Sequence, residues 1–302
     1  MKSNTNRLVK TAVVFCAFTM VITSCGSDEE SSSSSQSASS SGISVSELAT
    51  STDNPMITMA VDGYRAYVAA QVAVIQAETK IFADAVRAGN VAKAKSSFPI
   101  SRRNWERIEP IAGIIEDIDG AVDAREDDFN GPTDPEFTGW HRLEYHIFTL
   151  EDLTGAGPLA DQLESDLQTL ADRVPDIDLP PGVLTVGAQE LIEEVAAPDG
   201  KLSGEEDRYS GTDLYDFKAN VEGAEALVDL LSPALLEADA GLLSTIRASF
   251  VELNGQLAEL GSFETGYVHY DEVTESQKEL LSSTLGDLAE SLSLLNGTLD
   301  LS

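Results

Sequence analysis

The chain has 302 residues, 42% of them hydrophobic, and sets 19 basic against 52 acidic side chains for a net charge of −33. So large a negative excess excludes nucleic acid and anionic lipid headgroups as partners drawn by long-range attraction, and it concentrates cations at the surface. The chain carries only two cysteines, Cys16 and Cys25, which excludes a disulfide-built scaffold.

The first residues carry Lys2, Arg7 and Lys10 without an acid, and the apolar run "TAVVFCAFTMVI" follows. A basic start, a short apolar stretch and small residues at its end describe a secretory leader over residues 1–24, too short to span a bilayer. The segment "ITSC" at Ile22 to Cys25 resembles the lipobox of bacterial lipoproteins, with isoleucine where leucine is usual. The resemblance implies that Cys25 is acylated and becomes the mature amino terminus on the outer side of the cell membrane. Loss of the leader would leave 16 basic against 52 acidic residues, a net of −36, and no cysteine free for a disulfide, a nucleophile or a metal.

Residues 25–53 are Ser-rich, without apolar periodicity, and predict a disordered tether because they have too little to bury. Gly26 to Ser41 alone would span on the order of 20–25 Å as a flexible chain. From residue 54 the character changes. Val68, Val72, Ile75, Phe82 and Val86 recur at helical spacing, with Thr79 filling the one gap. Val221, Ala224, Val228, Leu231 and Leu235 repeat the pattern, as do Leu281, Leu285, Leu288, Leu292, Leu295 and Leu299. No stretch alternates with period two, so the pattern predicts an all-α protein.

Breaks fall at Gly89-Asn90, at the loop "FNGPTDPEFTG" from Phe129 to Gly139, and at "VPDIDLPPG" from Val174 to Gly182. Ser203 followed by Glu206 reads as a capping box opening another long helix. About four helices before the proline-rich break and about four after it predict two antiparallel four-helix bundles, over residues 54–175 and 182–302, packed as one unit.

Chemistry concentrates in "GWHRLEYHIF", which holds two of the three histidines, His141 and His146. His141 and Glu144, at i and i+3, share one helical face, with Cβ atoms about 5–6 Å apart. Trp140, Leu143, Ile147 and Phe148 make the rest of that helix apolar, and burying the pair without a partner is costly. Other acids cluster on predicted helices: Glu106 and Glu109 on one face, then Asp123, Glu126, Asp127 and Asp128, then Glu205, Glu206 and Asp207 beside Arg208. Carboxylates converging on a single imidazole make an oxygen-rich site for a hard cation, and the nitrogen favours a transition metal over calcium. Taken one at a time, most of these acids read equally well as a solvated face. His269 reads as a surface-loop residue, Trp105 and Trp140 as core or site wall, and Met56 and Met59 as packing residues.

The segments "SRRNWERIEPIAGIIEDIDGAVDAREDDF", "DPEFTGWHRLEYHIF", "LIEEVAAPDGKLSGEEDRYSGTDLYDFKANVEGAEALVDLL" and "FETGYVHYDEVTESQKELLSSTLGDLAESLSLLNGTL" resemble the imelysin-like domain of the EfeO/EfeM iron-uptake proteins. The likeness runs from about Tyr64 to the carboxyl end. It implies two packed four-helix bundles, a place in the cell envelope, and a role beside a membrane iron permease and a haem peroxidase. The family's Gly-x-His-x-x-Glu motif falls on Gly139, His141 and Glu144, and its metal-liganding acids are similar to Glu106, Glu109, Asp123 and Glu205. Longer members carry a cupredoxin domain ahead of the helices, so this chain resembles the short form. The expected cargo is iron, ferrous or ferric, with zinc or another divalent transition metal as a further candidate. A metallopeptidase and a purely structural acidic lipoprotein are the competing readings. The first lacks a His-Glu-x-x-His pair, and the second predicts no stoichiometric metal site.

Overall fold

The computed structural model describes residues 48, 50–197 and 200–301. The expected leader, the lipidation site Cys25 and nearly all of the Ser-rich tether lie outside the described residues. The first helix, α1 (Pro55–Arg87), opens with Pro55 in its first turn and the Asn54 side chain accepting from the Met56 N–H at 2.9 Å. Both devices satisfy or dispense with amides that have no partner inside the helix. Its buried stripe includes Val68, Val72, Ile75, Thr79, Phe82 and Val86, so Thr79 is a true core position with its hydroxyl unpartnered. Gly89, at φ +65°, ends the turn, and Asn90 caps α2 (Val91–Glu106) by accepting from the Lys93 N–H.

A 3₁₀ turn at Glu109–Ile114 leads to α3 (Glu116–Val122), and after the Gly/Pro-rich loop comes α4 (Gly139–Glu144). This short helix widens into a π-helical turn at Tyr145–Thr149. Such turns are frequent beside functional groups. The helices α5 (Gly157–Arg173) and α6 (Pro181–Ala196) flank the proline-rich break, with Pro181 starting α6. Then come α7 (Asp213–Ala238), α8 (Ala240–Ala258), α9 (Glu275–Ser293) and the single turn α10 (Leu295–Thr298). The two-residue strands Gly261–Ser262 and Gly266–Tyr267 pair antiparallel between α8 and α9, a small departure from a wholly helical chain.

The expected capping box at Ser203 does not form. Lys201–Ser203 is a 3₁₀ turn, Gly204 is left-handed at φ +85°, and the long helix starts later, at Asp213. Glu206 is drawn inward by Arg102 instead of capping a helix, because a buried guanidinium binds a carboxylate more strongly than a backbone amide does.

Helix α1 packs along α2, α5 and α7, while α6 packs along α9 and α7, and α8 lies against α9 and α7. Thus α7 touches both groups of helices. The hydrophobic core is one continuous cluster running from Ile57 to Leu301, and each of its fully buried Leu, Ile or Phe side chains contributes about 1.5–3 kcal/mol. No helix among the described residues is long and apolar enough to cross a membrane.

Candidate metal centre

Local structure brings the polar residues to one place. Gly139 has φ +76°, and a Cβ there would run into the Val122 carbonyl, so only glycine lets α4 begin hard against the end of α3. That contact sets His141 opposite Asp123, the residue that closes α3. On α2, Arg102, Trp105 and Glu106 lie on one buried face, and Asp213, Asp216 and Asn220 do the same on α7.

Arg102 is the hub and is wholly buried. Its Nη2 donates to Glu106 Oε1 at 2.6 Å and to Glu206 Oε1 at 2.8 Å, and its Nη1 donates to Asp123. Its Nε lies 3.5 Å from Asp207 Oδ1 and 3.7 Å from Asp216 Oδ2. Burial works against this charge, yet Asp123, Asp216, Glu106 and Asp207 together hold the guanidinium well above its ordinary range. Lys201, equally buried, donates to Glu106 at 2.8 Å and to both oxygens of Glu109 at 2.7 and 2.8 Å. Asn220 donates to the same two carboxylates, and Trp105 Nε1 donates to Asp123 at 2.9 Å.

His141 is 2% exposed, with Nδ1 3.1 Å from Glu144 Oε2 and Nε2 3.0 Å from Arg102 Nη1. Burial and Arg102 push its pKa down, but the carboxylates of Asp123 and Glu144 outweigh them and hold it up at about 9. The Arg102 contact is a hydrogen bond only when Nε2 carries no proton, so Nε2 is the contested atom while Nδ1 is committed to Glu144. The other oxygen of Glu144 accepts from the backbone N–H groups of Tyr209 and Ser210 at 3.0 and 2.8 Å.

Eight carboxylates therefore surround two fully buried permanent cations: Glu106, Glu109, Asp123, Glu144, Glu206, Asp207, Asp213 and Asp216 against Arg102 and Lys201. Arg125 reaches Glu206 from the rim at 3.2 Å. Lys201 and Arg102 hold Glu206 below its usual range despite its burial. On the inner side, burial pushes Asp207 up, and burial together with the Asp207 carboxylate pushes Asp213 and Asp216 well up. Both Asp216 oxygens, Asp207 Oδ1 and Asp213 Oδ2 are buried without a hydrogen-bond partner. Carboxylates in excess of internal cations, several held toward their neutral form by burial in the ion-free fold, are oxygen donors that a metal ion would ionise and bind.

Among the described residues, donor atoms come within 4.8 Å of one another in three groups: Asp123, His141 and Glu206; His141, Glu144 and Asp207; and Glu106, Glu206 and Asp216. A cleft of about 720 Å³ borders them, with Glu109, Asp123 and Glu206 on its wall. Its other charged lining residues are Glu116, Asp119, Asp128, Glu190 and Glu194 with the single base Arg125. Such a one-signed mouth raises the local concentration of cations.

Of the residues singled out in the sequence, His141, Glu144, Glu106, Glu109 and Asp123 meet here. Glu205 does not: its side chain is 55% exposed and pairs with Arg208 at 2.8 Å, while Glu206 and Asp207 turn inward. His269 is half exposed on a loop, and Trp105 and Trp140 pack together under the centre with ring centroids 5.9 Å apart. Sequence reasoning passed over Arg102, Lys201, Asp213, Asp216 and Asn220. A signal existed for the α7 acids, since Asp213 and Asp216 interrupt an otherwise apolar face that includes Leu214 and Phe217.

The family model for imelysin, peptidase M75, matches residues 60–295. The chain belongs to the imelysin family. Every imelysin element that supplies the centre, from α2 to the first turn of α7, lies inside the match. Among curated proteins the chain is similar to the "Iron uptake system component EfeO" of Escherichia coli O1:K1, of E. coli strain K12 and of Shigella flexneri. Each is 44% identical over 243 residues, which is 80% of this imelysin chain and 64% of the relative. The chain thus spans just under two thirds of the length of these relatives.

Proposed function

We propose that this protein is a metal-binding component of an iron uptake system, working outside the cytoplasm and held to the membrane by a lipid on Cys25. It captures iron at the centre around His141 and passes it to a membrane permease that works beside a haem peroxidase. The observation that carries this reading is the buried excess of carboxylates around one imidazole, bordered by an acidic cleft. The name of the EfeO relatives supports iron as the cargo. The donor set, one nitrogen among hard oxygens, suits ferrous or ferric iron and accommodates zinc.

In this reading His141 Nε2, Asp123 and Glu206 form the first ligand group next to the cleft, with Glu106 and Glu109 beside them. Glu144 fixes the ring from behind through Nδ1, as a carboxylate behind a ligating imidazole commonly does. The exposed Glu205 stays with Arg208, and Glu206 takes the inner position. Binding requires an unprotonated Nε2 and ionised carboxylates, so capture releases protons and acid favours release. Binding is better supported than peptide hydrolysis, because Glu144, the natural general base, uses one oxygen on His141 and the other on two backbone amides.

Calorimetric titration of the metal-stripped protein with ferrous, ferric and zinc ions, beside His141→Ala, tests the proposal. Saturable binding that vanishes in the variant is expected. Equal, weak, salt-sensitive uptake by both proteins would mean that the acidic coat alone attracts cations.

A further inference from the structure

Lys201 places a cation where a cation is wanted. Its side chain is 1% exposed, and its Nζ stands 2.8 Å from Glu106 Oε2, 2.7 and 2.8 Å from the two oxygens of Glu109, and 3.5 Å from Glu206 Oε1. Three carboxylates converging on one point charge is the arrangement a hard metal ion asks for, and a lysine ammonium is a compact point charge on a long stem. Glu109 and Glu206 also line the cleft, so the ammonium lies between the cleft and the inner carboxylates.

The root of this side chain is fixed, while its head is held by hydrogen-bonded ion pairs at the tip of a flexible stem. A Cβ at Gly200 would run into the carbonyl of Glu194, so the chain before Lys201 is pressed against the end of α6. Lys201 itself belongs to a 3₁₀ turn. Glu194 itself lines the cleft wall.

We propose that Lys201 is a built-in competitor: its ammonium holds Glu106, Glu109 and Glu206 in the metal-free protein and is displaced from them by the arriving ion. This rests on the metal-capture reading above and adds a residue that sets affinity without touching the ion. The ammonium keeps the empty carboxylates from repelling one another and lowers the net affinity, which makes capture reversible. A residue that only supported the fold would act the other way, since its loss would loosen the site and weaken binding.

The test is titration of the metal-stripped protein with ferrous chloride under anaerobic conditions, for wild type, Lys201→Met and Lys201→Gln, followed by thermal unfolding with and without the ion. Both variants are expected to bind about 10- to 100-fold more tightly than wild type, the usual range for a residue just outside the ligand shell, here with the sign reversed. Their metal-free forms are expected to unfold at lower temperature and to gain more from the ion. Saturable binding by all three proteins with equal constants, or weaker binding by the variants, overturns the role of Lys201 and leaves the capture reading standing. Lack of saturable binding in all three overturns both. Lys201→Gln keeps an amide donor toward Glu106 and provides the comparison if Lys201→Met does not fold.

Discussion

His141 and Glu144 stand one helical turn apart with 3.1 Å between Nδ1 and Oε2, and the second oxygen of Glu144 is bound by the amides of Tyr209 and Ser210. One carboxylate therefore ties the ring on α4 to the segment that carries Glu206 and Asp207. Its substitution is expected to disturb both.

Glu144→Gln should lower metal affinity by about 10- to 100-fold, as loss of a residue orienting a metal-binding imidazole does. The helical circular dichroism should remain, because the hydrophobic core is untouched. Titration of the variant beside wild type checks this, and unchanged affinity would remove Glu144 from the site.

The His141 ring has a folded-state pKa of about 9 against an ordinary 6.5. A raised value means that the protonated ring contributes stability in full below pH 6.5, and that this stability is lost as the pH climbs through 9. Metal competes with the proton at Nε2, so affinity should rise with pH across the same window, by up to about tenfold per unit for each proton released. Thermal unfolding of the metal-free protein and of His141→Gln from pH 6 to pH 9.5 checks the first trend, since the variant should lack it. Titrations at three pH values in that window check the second.

Asp119, on the cleft wall, is raised to about 7 by burial and then by the neighbouring Asp123. Its ionisation is therefore penalised in the fold, so the stability present below its ordinary pKa is lost as the pH rises through 7. Asp119→Asn should stabilise the metal-free protein at pH 8 by on the order of 1–2 kcal/mol and change little at pH 4. Urea unfolding at both pH values measures the difference.

Arg102 neutralises more carboxylates than any other side chain in the centre. Arg102→Met leaves the buried Asp207 and Asp216 without a cation and strips one partner from Glu106, Asp123 and Glu206, and should cost about 3–5 kcal/mol. Denaturant melts should show the loss in the metal-free protein, with partial recovery on adding a divalent ion.

Gly139→Ala combines a left-handed backbone with a Cβ driven into the Val122 carbonyl. The conformation alone costs about 1–2 kcal/mol, and relief of the clash must move α4 away from α3. Stability and metal affinity should fall together, because the same movement takes His141 from Asp123.

Much of this protein is written in its local sequence. The stripe of α1, including the gap at Thr79, the break at Gly89-Asn90 and the leucine run of α9 depend on residues within a turn or two of each other, and each was legible as spacing. The pairing of His141 with Glu144 was legible for the same reason, since both lie on one turn of α4. What the sequence could not carry is which neighbour in a run of acids faces inward. Glu205, Glu206 and Asp207 are chemically alike, and it is Arg102, on a helix far away in the chain, that pairs with both Glu206 and Asp207 inside, with Lys201 and Arg125 adding to its hold on Glu206, while Glu205 is left to Arg208. The same holds for Lys201, whose buried ammonium has meaning only once α2 and the 3₁₀ turn after it present Glu106 and Glu109. Periodicity and capping are short-range and readable along the chain. Compensation of buried charge is long-range, and it is decided by the helices that meet.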